Sequence, residues 1–177
     1  MIYVAPLMQI VLYAEFWWLT QTAKRHTLGE VKVSKTILWI QTVGIFFYVI
    51  AMAALDTGTG IDTIHDVSAT IFFVLMIIGF EMSTCTLKKL RAISPRTISA
   101  SSLYFKQWVS WGLVATALYG LMALLLKDQV PHEQKELIRA IANSAEWVGV
   151  TLICLYLGSY SWDWPGLEIV LSLPGIT

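Results

Sequence analysis

Five long apolar runs, each closed by polar or turn-forming residues, divide the chain. They fall at about residues 2–20, 37–55, 67–85, 108–126 and 137–160. A helix rising 1.5 Å per residue needs about 20 predominantly apolar residues to cross a hydrocarbon core. No water is available there to satisfy backbone groups, so helices and closed barrels are the structures that span. Each run has 18 or more residues and at most one acid inside. None carries the polar face of a helix on the surface of a soluble bundle. The pattern predicts an all-α, polytopic transmembrane bundle of five spanning helices, forming a single integral membrane domain over residues 1–177.

The connecting segments set the expected orientation. Lys24, Arg25, Lys32 and Lys35 follow the first run, and Lys88, Lys89, Arg91, Arg96 and Lys106 follow the third. The loop from Asp56 to Asp66 has no basic residue, and the loop after the fourth run balances Lys127, Lys135 and Arg139 with Asp128, Glu133 and Glu136. Nine of the twelve basic residues therefore fall on one side, the inner one by the positive-inside rule. The N-terminus is then expected outside and the C-terminus inside. Asp56-Thr57-Gly58-Thr59-Gly60 is turn chemistry between antiparallel helices. Pro165-Gly166 stops the last helix, and the apolar tail over 165–177 is too short to span, which places it at the interface or against a neighbour. The first run has no basic region before it and does not read as a cleaved signal peptide.

Composition agrees with the pattern. The 177 residues are 56% hydrophobic and 14% charged, with a mean hydropathy of +0.66, which is too little charge for a soluble domain of this size. Twelve basic and twelve acidic residues cancel, so nothing points to nucleic acid. Membrane lipids are the expected partners. Cys85 and Cys154 lie in or beside apolar runs and read as small core residues rather than a disulfide or a metal site. Trp17, Trp18, Trp108, Trp111, Trp162 and Trp164 sit near the ends of runs, as an interfacial aromatic belt requires.

Ionisable residues within the runs are the informative ones, because an acid at the centre of a span costs at least about 2.5–3.5 kcal/mol. Glu15 and Glu81 lie near the inner ends of their runs and are expected to reach the headgroups beside Lys24, Arg25, Lys88 and Lys89. Glu146 lies well inside the fifth run, about 13 Å below its outer end. His65-Asp66 opens the third run at the same outer end, and Asn143, three residues before Glu146, shares its helix face. Glu81 is about 160° and ~24 Å from His65 on one helix and cannot join them. His65, Asp66, Asn143 and Glu146 thus form the candidate polar cluster, facing lipid or ligand. A His and a carboxylate can act as acid and base or hold a polar headgroup. No nucleophile motif or Gly-rich phosphate loop accompanies them, and His26, His65 and His132 lack metal-ligand spacing. The expectation is no catalytic residue, no metal and no cofactor. Ala142, Ala145 and Gly149 form a small-residue stripe suited to close helix approach.

Four blocks of residues occur in an order that resembles the Frag/DRAM/Sfk membrane-protein family. They are Thr63-Ile64-His65-Asp66 with a span closing in Ser83-Thr84-Cys85, then Lys106-Gln107-Trp108, then Glu146-Trp147, then Trp162-Asp163-Trp164. The matched region runs from about Tyr13 to Trp164. Within that family the post-GPI-attachment-to-proteins type remodels the lipid of GPI anchors in the Golgi. The resemblance therefore implies a lipid-handling role in the endomembrane system, Golgi or ER. Family members usually have six spans, with a first helix and a long lumenal loop. The present chain is expected to lack both, and so to have no GPI-remodelling activity alone.

Two readings follow. In the first, the protein handles lipid, with His65 and Glu146 facing the lumenal leaflet. In the second, it is a non-catalytic accessory subunit whose partners are other membrane-protein subunits, in an organelle such as the mitochondrial inner membrane. A regulator like the DRAM branch is a third role within the family.

Overall fold

A computed structural model describes residues 4–25, 31–54, 62–95, 98–126 and 129–164. These form five helices and no strand: α1 Val4–Arg25, α2 Val31–Ala54, α3 Asp62–Ile93, α4 Ala100–Leu126 and α5 His132–Gly158. A short 3₁₀ turn, Ser159–Trp162, continues α5. The all-α architecture matches the hydropathy pattern. Four of the helices, α2 to α5, are long and apolar enough to cross a membrane.

The helices overrun the apolar runs that announced them. α3 starts before residue 67 and continues eight residues past Cys85, and α4 starts at Ala100 instead of 108. Hydropathy marks only the part of a helix that meets hydrocarbon, whereas backbone hydrogen bonding continues into the polar boundary. What ends these helices is local chemistry. Pro95 follows α3 and disfavours helical geometry in the residue before it. The Ser99 hydroxyl then accepts a 3.0 Å bond from the Ser102 amide in the first turn of α4, an N-cap arrangement. Residues 96–97, between them, and the tail at 165–177 lie outside the described residues, as does the turn at 56–60.

Register follows from the contacts. On α2 and α3, Gln41 meets Gly79, Gly44 meets Leu75 and Met76, and Ala51 meets His65, so the two run antiparallel. On α4 and α5, Gly112 faces Leu152 and Gly120 faces Ala145, again antiparallel. α3 and α5 run parallel, with His65 beside Glu146, Phe73 beside Gly149 and Phe80 stacked on Tyr156. α1 lies on α2, where the Gln9 amide donates to Thr42, and its Trp18 packs on Trp164, two residues past the 3₁₀ turn.

α3 is the axis of the bundle. Phe72, Met76, Phe80, Leu87 and Leu90 are all buried, at the three- and four-residue spacing that keeps one face inward. Around them pack Leu12 and Leu19 of α1, Ile45 and Tyr48 of α2, Leu113 of α4, and Ile153 and Tyr156 of α5. The outer surface carries exposed Trp17, Trp108, Trp111 and Trp162. Cys85 and Cys154 are free, but both are exposed on the outside of the bundle. The core role expected for them is therefore corrected. In a bilayer an outward apolar side chain is as comfortable as an inward one, so hydrophobicity does not tell the two faces apart.

Candidate functional site

Among the described residues the bundle has two polar centres, one toward each end. The first joins α2, α3 and α5. The His65 Nδ1 lies 2.9 Å from the Ala51 carbonyl, and its Nε2 lies 3.3 Å from Glu146 Oε2. A carbonyl only accepts, so Nδ1 carries a proton and donates it to Ala51. The bond between Nε2 and Glu146 then holds one further proton, on the imidazole or on the carboxyl. The His65 side chain is 12% exposed and that of Glu146 31%.

Glu146 also borders a cleft between α3, α4 and α5 of about 190 Å³. Asp66 and Glu146 are its acidic members; Phe73, Val74, Ile77 and Leu121 supply much of the wall. Thr70 and Thr116 line it too, but each donates its hydroxyl to a carbonyl one turn back in its own helix. The interior is in effect apolar, with both carboxylates toward the His65 end. Of the cluster expected from the sequence, the structure brings together His65, Asp66 and Glu146. Asn143 is exposed and is not part of the cleft wall. Although it shares a broad face with Glu146, the helix is rotated so that Ala142 and Ala145 face inward instead. The small-residue stripe is where α5 makes its close approaches, with Gly149 against the Phe73 ring and Ala145 against Gly120.

The second centre is fully enclosed and lies at the opposite end of α3 and α5. Lys106 Nζ sits 2.6 Å from Asp163 Oδ2, with both side chains 0% exposed. Ser102 bridges them, accepting from Lys106 and donating to the same carboxylate oxygen, each at 2.8 Å. The ammonium also lies 4.4 Å above the Tyr160 ring, a cation–π arrangement. Tyr160 and Ser83 both donate to Glu15 Oε1. Next to them, Tyr156 donates to the Phe80 carbonyl at 3.0 Å and accepts from Thr84. α1, α3, α4, α5 and the 3₁₀ turn thus meet on one network.

This centre corrects three expectations. Glu15 does not reach toward headgroups; it is 1% exposed. Glu81 is not directed outward either, since Ser110 donates to it at 2.6 Å and the Gln107 amide at 3.3 Å. Lys106 is no loop cation, because α4 begins six residues before it and encloses it. A signal was present in the spacing. Ser102, Lys106 and Ser110 recur every four residues and place a polar stripe on one face of an apolar helix. Asp163 between two Trp residues supplied the complementary charge.

The four sequence blocks meet in pairs across the bundle. His65 of the first reaches Glu146 of the third, and Lys106 of the second reaches Asp163 of the fourth. A bundle of apolar helices closed by such pairs defines the class, a helical membrane protein with polar ties between its helices. The chain belongs to the Frag1/DRAM/Sfk1/Cwh43P family: residues 1–167 match the model of its N-terminal domain. No curated protein and no solved structure matches it.

Proposed function

We propose that the protein is a lipid-handling membrane protein whose site is the cleft between α3, α4 and α5, with its His65 end toward the lumen. One integral domain spans five times, α1 included, since its 22 residues reach about 33 Å at 1.5 Å each. The observation that carries the reading is the cleft itself, an apolar slot with two carboxylates at the end where a headgroup would lie. Carboxylates accept hydrogen bonds, so they select heads rich in hydroxyl or ammonium donors. The GPI anchor, whose glycan head has both, is the member of this class to which the family resemblance points, and an endomembrane location follows from it. Binding rather than chemistry is favoured because His65 bonds Ala51 and Glu146, and among the described residues no hydroxyl or thiol bonds to it.

The test uses the purified full-length protein in nanodiscs containing photoactivatable phosphatidylethanolamine or phosphatidylcholine. An ethanolamine head offers N–H donors and a choline head none. Labelling of cleft peptides on α3 and α4 is expected to favour ethanolamine several-fold, and Glu146→Gln is expected to fold but to lose most of that preference. Glu146→Leu should be less stable by about 1–3 kcal/mol, because it leaves the partners of a half-buried bond unpaired. Equal labelling by both lipids would overturn the proposal.

A further inference from the structure

A second groove, on the opposite half of the bundle from the cleft, has a different chemistry. It lies between the end of α3 and the start of α4 and encloses about 550 Å³. Lys88 and Arg91, three residues apart on α3, form one wall. Tyr104, Trp108 and Trp111 of α4 form the other, spaced at one and two turns along a single face. All three aromatics are exposed, at 71%, 67% and 54%. Among the described residues, no acid lines the groove. Lys88 is held in place by the Gln107 side-chain carbonyl. The Gln107 amide in turn donates to Glu81, so a neutral group stands between the cation and that carboxylate. Neither Lys88 nor Arg91 forms an ion pair with a described residue.

From this groove we infer a binding site for an anionic phospholipid of the leaflet on the basic side of the protein. The headgroup phosphate and its acidic substituent sit on Lys88 and Arg91, and the first acyl segment lies along Tyr104, Trp108 and Trp111. Three features favour an anion over a zwitterion. Two cations face the groove without a carboxylate between them. The first turn of α4 opens into it at Ala100, so the positive end of a 27-residue helix adds to their field. The exposed aromatic rings beside the cations supply the boundary surface that a lipid needs and a free anion does not. Arg presents a planar fork that matches phosphate, while Lys supplies a point charge.

The probes are phosphatidylserine and phosphatidylcholine with brominated acyl chains, which quench tryptophan on contact. The full-length protein is reconstituted with each, and Trp108→Phe/Trp111→Phe identifies the fraction of quenching that belongs to the groove. That fraction is expected to saturate at about 25-fold lower mole fraction of phosphatidylserine, from two cations each contributing about fivefold near an anionic surface. Lys88→Gln/Arg91→Gln should abolish the preference, and Lys88→Arg/Arg91→Lys should keep most of it, which separates charge from folding. Soluble glycerophosphoserine should compete poorly, because it lacks the chains. Equal quenching by both lipids, an unchanged preference in the neutral double variant, or full competition by the soluble headgroup would overturn the inference. None of these outcomes bears on the ethanolamine preference of the cleft.

Discussion

Replacing Lys106 with Met tests whether the enclosed ion pair holds the bundle together. Lys106 and Asp163 are 2.6 Å apart and wholly buried. At an effective dielectric constant of about 20 their attraction is about 6 kcal/mol. Withdrawing the two ions from water costs several kcal/mol each, so the intact pair is worth little more than two well-packed apolar side chains. Lys106→Met removes the attraction and leaves the Asp163 carboxylate buried with the Ser102 hydroxyl as its remaining donor. That imbalance is expected to destabilise the protein by about 3–5 kcal/mol. Asp163→Leu strands the ammonium over the Tyr160 ring and should cost a similar amount. The double variant Lys106→Met/Asp163→Leu removes both charges and should recover to within about 1 kcal/mol of the original. The assay is unfolding by SDS titration in mixed micelles, run as a double-mutant cycle. Additive single losses, or a Lys106→Met loss below about 1 kcal/mol, would refute the argument, since either means that water or lipid headgroups reach the charges.

Three further outcomes are expected. A Cβ at Gly149 would come within 2.6 Å of the Phe73 ring, so Gly149→Ala should cost about 1–3 kcal/mol and push Phe73 into the cleft, lowering lipid labelling there. At Gly158 nothing lies within 4 Å and the backbone is helical, so Gly158→Ala should be neutral or stabilising by up to about 1 kcal/mol; equal losses at the two sites would show that close approach is not the cause. In sealed vesicles, a cysteine at Lys89 and one at Thr63 should be labelled from opposite sides, as the basic-residue asymmetry requires, and labelling of both from one side would exclude the five-span topology.

The sequence by itself determined the class of structure. Five apolar runs of spanning length, with polar breaks between them, leave helices as the available solution in hydrocarbon, and that conclusion needs no knowledge of which helix touches which. It also singled out Glu146 and His65, because an acid deep in an apolar run is costly enough to need a partner and the His opens a neighbouring run in the same half of the bilayer. Only the tertiary structure decided where the partners are. Asn143 shares an approximate face with Glu146, yet a modest rotation of α5 points it outward. Glu15, Glu81 and Lys106 lie close enough to the ends of their apolar runs that, from the sequence, snorkelling to the headgroups and burial against a neighbour are both available to them. The choice depends on helix rotation and register, which place Tyr160 and Ser83 on Glu15, Ser110 on Glu81 and Asp163 on Lys106. Periodicity is a property of one helix, whereas satisfying a buried charge takes two. The spacing of Ser102, Lys106 and Ser110 was therefore legible as a polar stripe, but its partner across the bundle was not.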